Sequence, residues 1–275
     1  MTKCLTIDLG VIGYAEAYTL QKRMVAARKA EAIEDVLVLC QHPHVITQGR
    51  SGKREHLLVG EQVLGQKGVE FYETSRGGDV TYHGPGQIVA YPIINLGAIR
   101  RDVVWYVRML EEVMIRASAD FGVAPAREAG KTGVWVAPQE ELTPSARRAQ
   151  RSQSTPEKLG AIGVHISRWV TSHGFAYNVS TDLRFFDLIV PCGIAGRKAT
   201  SLEKLLGRGV DFGEVTTRLT KHFGEVFGLN MQQASRTELL ATLDRRGLAV
   251  SESDTAAPPE GSIPVAANVP QSIAG

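Results

Sequence analysis

At 275 residues, with 43% hydrophobic and 22% charged, the chain has material for one full core and a tail. Its formal net charge of +2 is too near balance to argue for general nucleic-acid binding. No apolar run nears the ~20 residues of a membrane helix, and the opening residues 1–8 are too short and polar to be a secretion signal. The cysteines, Cys4, Cys40 and Cys192, show neither paired nor CxxC spacing, so no disulfide framework or zinc ribbon is indicated. The chain reads as cytoplasmic, with reduced thiols.

Residues 5–9 read as a first strand. Ala17, Leu20, Met24 and Ala27 share one face of a helix over 14–32. The continuous apolar run 35–40 predicts a buried strand that Pro43 ends. Further strands are expected at 70–75, 80–83 and 87–95. Asp102 is placed to cap a helix marked by Val103, Val107, Leu110, Met114 and Ala117, closing near Gly122. The β pattern resumes at 133–137, 159–166 and 170–179, the last two forming a hairpin.

Beyond 192 the chain turns helical. Thr200 with Glu203, Asp211 with Glu214 and Ser235 with Glu238 have capping-box spacing. Two stretches are unlike the rest. Residues 138–157 hold three prolines, no aromatics and a basic cluster of Arg147, Arg148 and Arg151, while 251–275 hold four prolines and no aromatics. Neither can bury enough apolar surface to offset its ordering entropy, so a mobile insertion and a disordered tail are expected around a catalytic domain of 1–250. Strands mixed with helices, without regular βαβ alternation, predict an α+β fold.

The densest chemistry lies in 76–91, where Arg76, Gly77, Gly78, Asp79, Val80, Thr81, Tyr82 and His83 lead into Gly84-Pro85-Gly86. Glycines there let backbone approach a ligand closely. Arg76 can bind a carbonyl or carboxylate, or sit on the surface before its turn. His83 can orient a substrate, act as a base or bind metal, or simply be hydrogen-bonded in a cleft. His42-Pro43-His44 looks like a chelate but lacks a third ligand. His165 and His173 read as structural or pocket-lining.

Cys192, between Pro191 and Gly193, is a candidate nucleophile beside an accessible backbone N–H. A lone cysteine is more often buried and inert, a fate that suits Cys4 and Cys40 better. Lys158 opens the stretch Leu159-Gly160-Ala161-Ile162-Gly163. Facing a pocket it would lower a thiol pKa and shuttle protons, although position alone favours a solvated lysine. Gly174 and Ala176 flank Phe175 with small residues, leaving room for an acyl chain or marking ordinary strand packing.

Taken together, the 76–91 segment, the 158–163 segment and the Pro191-Cys192-Gly193-Ile194 turn resemble, in order and spacing, the signatures of the lipoyl(octanoyl) transferases, also called the lipoate–protein ligase B family. The likeness spans roughly 5–228. It implies the fold of the biotin/lipoate protein ligase catalytic domain, a mixed sheet flanked by helices. It implies transfer of an octanoyl or lipoyl group from octanoyl-acyl carrier protein to a lysine. The acceptors would be lipoyl domains of 2-oxoacid dehydrogenase E2 subunits and the glycine cleavage H protein. Cys192 falls on the acyl-accepting cysteine and Lys158 on its companion lysine. Substrate contacts would come from residues 76–83, from Ala161, Ile162 and Gly163, and from Gly174, Phe175 and Ala176. No cofactor, metal, nucleic acid or membrane is implied. The 138–157 insertion is longer than the likeness leads one to expect, and the tail has no counterpart in it. Rival readings are an ATP-dependent lipoate or biotin ligase on the same fold, a hydrolase using Cys192 with His83, and a non-catalytic module gripping acidic carrier domains. Arg168, Arg197 and Lys198 are candidates for a basic rim that steers such carriers.

Overall fold

The computed structural model describes residues 2–137, 155–190 and 197–245. Cys192, most of the 138–157 insertion and the 251–275 tail lie outside the described residues. Among those described, no helix is long and apolar enough to cross a membrane.

The strands are β1 (Thr2–Val11), β2 (Asp35–Gln41), β3 (Val45–Gln48), β4 (Glu70–Glu73), β5 (Val80–His83), β6 (Gln87–Ile93), β7 (Val134–Val136), β8 (Glu157–Ser167), β9 (Val170–Asn178) and β10 (Leu229–Gln233). The helices, numbered in chain order, are α1 (Tyr14–Lys29), α2 (Glu61–Gln66), α3 (Leu96–Ile99), α4 (Val103–Ala119), α5 (Leu202–Leu206), α6 (Phe212–Phe227) and α7 (Arg236–Arg245). Seven strands form one mixed sheet in the order β10-β1-β2-β6-β9-β8-β7, and β4-β3-β5 form a smaller one. The architecture is the α+β mixed sheet flanked by helices that the sequence predicts.

Residues 36–40 of β2 are apolar because both faces of the strand are covered. Leu37 and Leu39 join the core under α4 and α6, while Val36, Val38 and Cys40 join the core under α1 and α7. Burial pushes the Cys4 and Cys40 thiols far above their usual range, so both are inert. The smaller sheet has its own core of Ile46, Phe71, Val80, Tyr82 and Leu188.

Helix starts follow local capping chemistry. Asp102 accepts from Trp105 N at 2.8 Å, and Asp211 from Glu214 N at 2.6 Å. Ser235 and Glu238 make the reciprocal box, at 2.8 and 3.2 Å. The Thr200–Glu203 pairing does not form. Ser201, one residue later, caps α5 by accepting from Lys204 N, while Thr200 is fully buried. Glu157 also differs from expectation, since it opens β8 rather than closing a mobile stretch. The β8–β9 hairpin turns at Arg168 and Trp169, both at positive φ (50 and 64°). That is the handedness a two-residue hairpin requires, reached here without glycine.

Candidate active site

A cavity of about 440 Å³ opens between the two sheets, and the site segments named from sequence converge on it. Arg76 through Thr81 and His83 come from β5 and the turn before it. Lys158, Ala161, Ile162 and Gly163 come from β8, and Gly174, Phe175 and Ala176 from β9. Tyr82 is the exception. Side chains alternate along a strand, so Tyr82 points away from the His83 side. It is buried in the smaller sheet's core, with its hydroxyl 2.7 Å from His44 Nδ1.

Arg76 is nearly buried and lies against β3. Its Nη2 donates to the Thr47 carbonyl at 2.6 Å and its Nε to Thr47 Oγ1 at 3.1 Å. Gly77 N donates to the Val164 carbonyl at 2.9 Å, docking the turn on β8. Gly163 permits this approach, because a Cβ there would sit 2.9 Å from the Gly77 oxygen and 3.1 Å from Arg76 Cδ. At Gly174 a Cβ would strike the Ala90 carbonyl of the neighbouring strand. Strand packing therefore requires that glycine, whatever space it also leaves for a chain.

The inner wall also holds Tyr14 from α1, which no motif announced, Tyr91 from β6, the last residue of the 76–91 segment, and, behind them, His42. His42 Nδ1 donates to the Ile12 carbonyl at 2.8 Å, so its Nε2 accepts from the Tyr91 hydroxyl at 2.7 Å. Burial pushes the His42 pKa down to about 4, leaving the ring neutral. His173, read from sequence only as structural or pocket-lining, reaches the cavity at φ 54°, a conformation that bulky residues seldom adopt. Its amide donates to Gln21 Oε1 at 2.9 Å and its Nε2 lies 3.2 Å from Ser75 Oγ. Burial, with Arg76 adding to it, lowers its pKa to about 3. His42 and His44 use their nitrogens on different tyrosines. No group of three or more His, Cys, Asp or Glu among the described residues can hold a metal ion.

The rim is of another kind. Trp135 of β7 carries the Lys158 ammonium 4.4 Å from its ring centroid, with Lys131 at 5.5 Å and Arg197 at 5.6 Å. Glu128 ties Lys131 at 2.6 Å to Arg197 at 2.7 Å. Those two cations hold its carboxyl below the usual range, Lys131 contributing most. Arg197 is thus engaged inside the rim rather than projecting toward a partner, whereas Arg168 is exposed at the hairpin turn.

Three backbone bonds tie the chain down on either side of 191–196. Val190 N donates to the His56 carbonyl at 2.8 Å, and the His56 ring is 2.6 Å from Asp79 Oδ2. Lys158 N donates to the Lys198 carbonyl, and Thr200 N to the Lys158 carbonyl, both at 2.9 Å.

The family described as Lipoyl protein ligase A/B catalytic domain matches residues 13–224. An octanoyltransferase of Solibacter usitatus is 46% identical over 84% of this chain and 96% of its own. One of Caldicellulosiruptor saccharolyticus is 44% identical over 84% of this chain and 92% of its own. In three dimensions the chain is similar to the bipartite lipoate protein ligase of Thermoplasma acidophilum, with a TM-score of 0.66 at 15% identity, covering 90% of this chain and 92% of that one. A family match across most of the chain, and relatives of one name at this identity, place the protein in the lipoyl protein ligase A/B catalytic-domain family as an acyltransferase.

Proposed function

We propose that the protein transfers an octanoyl or lipoyl group from acyl carrier protein to a lysine of lipoyl-carrier domains, through a thioester on Cys192. Residues 1–250 form the catalytic domain in this reading. The relatives' shared name supports the acyl group. The observation that carries the covalent step is the position of Lys158: it lines the cavity, and its backbone pairs with Lys198, where the chain returns from 191–196. An ammonium there stabilises a nearby thiolate.

The thiolate attacks the thioester carbon, a C–S bond to Cys192 forms, and the carrier's thiol leaves with one proton. The acceptor amine then attacks, a C–N bond forms, and the Cys192 sulfur leaves and is reprotonated. Thioester exchange is nearly balanced, and amide formation drives the sequence. Arg76 and the 77–81 backbone supply polar contacts on one side of the cavity. Ala161, Ile162 and Ala176 supply the surface for the acyl chain.

Intact mass after incubation with octanoyl-carrier protein tests the first step. The parent protein is expected to gain one octanoyl group and Cys192→Ala none, with transfer lost; a variant retaining most of its rate would defeat the reading. Lys158→Arg keeps the charge but offers no usable acid–base group, because guanidinium stays protonated. It should retain part of the thiol's alkylation rate while losing turnover, and Lys158→Ala should lose both. Normal turnover in Lys158→Ala, with an unshifted alkylation midpoint, would make the lysine a bystander.

The shared fold leaves ATP-dependent ligation as the second reading, since one structure of the same fold is a lipoate-protein ligase A bound with ATP. Transfer from free octanoate with ATP would favour that reading, and transfer from the carrier thioester alone excludes it.

A further inference from the structure

Behind His83 runs a chain of hydrogen bonds in which each polarity is forced. The Thr200 carbonyl can only accept, so the Asn178 atom 2.9 Å from it is the amide nitrogen. Asn178 Oδ1 therefore accepts from Gln87 Nε2 at 2.9 Å. The same Gln87 nitrogen donates to the Tyr82 carbonyl at 3.2 Å, a second acceptor-only group that fixes the amide the same way round. What remains for His83 is Gln87 Oε1, 2.7 Å from its Nδ1. That oxygen accepts, so Nδ1 carries the ring proton and Nε2 keeps only a lone pair. His83 lines the cavity.

The groups around this ring favour the neutral form. Tyr14 of α1 stacks parallel to it at 6.4 Å, and His42 meets it edge-on at 6.0 Å. Arg76 from the turn before β5 and His173 from β9 also act on it electrostatically. Burial is the largest cause that lowers its pKa to about 3; His42 and Arg76 add to it, against the Gln87 bond. The ring thus stays uncharged throughout the neutral range.

We propose that His83 is a catalytic hydrogen-bond acceptor for the incoming amine, and that Gln87 and Asn178 are positioning residues that keep its cavity-facing nitrogen free of a proton. The proposal rests on the transfer reading above. Of the reacting groups, an acyl thioester offers only acceptors, its carbonyl oxygen and sulfur, while the amine brings N–H donors. As the C–N bond forms, the nitrogen becomes positive and its N–H a stronger donor. An acceptor held at that point therefore stabilises the transition state more than the ground state. When the C–S bond breaks, the N–H proton passes to the departing sulfur, directly or by way of Lys158. His83 holds its bond throughout without taking the proton, as so weakly basic a ring should.

Two measurements on the full-length chain test this. In ¹⁵N-histidine-labelled protein, two-bond ¹H–¹⁵N correlations report the tautomer of each ring. His83 is expected neutral and protonated on Nδ1 at pH 7 and still neutral at pH 5, and a proton on Nε2 overturns the proposal. The second uses Gln87→Glu, which conserves size but sets a carboxylate against Nδ1–H and raises the ring's pKa, so that below the new value Nε2 becomes a donor. At pH 6 the amine step should slow about tenfold more than loading, the rate equivalent of about 1.4 kcal/mol, and it should recover as pH rises. Equal slowing of loading and transfer, or a loss that pH does not restore, overturns the proposal. A parent protein that never becomes acylated defeats the Cys192 reading instead. The tautomer and the pH profile of overall transfer then decide for or against His83 with the same outcomes.

Discussion

The inner wall of the cavity and its rim solve opposite problems. On the wall His42, His83 and His173 are almost fully buried and neutral, and backbone carbonyls decide where the protons of His42 and His83 lie. On the rim Lys131, Lys158 and Arg197 gather about one indole, and Lys131 and Arg197 share Glu128 at partly exposed positions. Desolvation removes charge from the wall, leaving oriented lone pairs and hydroxyls. Solvent lets the rim keep its charges, which adjust at little cost. The proposed transfer, which must hold a neutral amine and steady an anionic sulfur, would draw on both environments within one cavity.

Acid acts most strongly on the wall. The three wall histidines have folded pKa values near 4, 3 and 3, below the unfolded value of about 6.5. Below pH 6.5 the unfolded chain therefore binds more protons than the folded one, and stability falls as pH falls toward the folded values. The stability they confer is complete above pH 6.5. Between pH 5 and 4 the loss should approach on the order of 4 kcal/mol per pH unit, the sum for three buried rings. Urea denaturation at stepped pH checks this, and His42→Phe should remove about a third of the slope. An unchanged slope would mean that the wall is wetter than it looks.

A smaller effect is expected from Trp135→Leu, which removes the surface on which three cations converge. Stability should drop by about 2 kcal/mol, and single-turnover transfer should slow because Lys158 loses its support. Stability lost with turnover intact would confine the indole to packing. The smallest effect belongs to the outward Lys204–Glu157 pair, 2.8 Å long with the lysine half exposed. Lys204→Ala should change stability by no more than about 0.5 kcal/mol and leave transfer untouched. A cost above about 1 kcal/mol would show that charges near this cavity are less freely exchanged with water than the contrast requires.

Those sensitivities follow what the sequence could and could not reveal. The 76–83 and 158–163 segments were legible because their residues adjoin in the chain and glycine marks where backbone must come close. Tyr14 and Trp135 were not, since each sits at an ordinary aromatic position of a helix or strand and reaches the cavity only by packing. The alternation of β5 is enough to set Tyr82 opposite His83, away from the cavity. β3 went unseen because it is four residues long and follows Pro43 closely, and β10 because Asn230, Gln232 and Gln233 read as polar loop. The shift of the α5 cap from Thr200 to Ser201 has a tertiary cause. Thr200 is taken up by both backbone bonds, to Lys158 and Asn178, and its neighbour is left to start the helix.

The order in which the chain emerges during synthesis gives β1 a distinctive history. Its inner edge pairs with β2, the next strand in the chain, but its outer edge pairs in parallel with β10, joining Thr2 to Leu229 and Thr6 to Gln233. Every strand that lines the cavity has left the ribosome before that partner exists. Made before its neighbours in the sheet, β1 is therefore closed after all of them, and until β10 is made it presents an open backbone edge to whatever else is nearby. Its outermost residues, Thr2 and Lys3, are polar and exposed, as suits an edge that must wait.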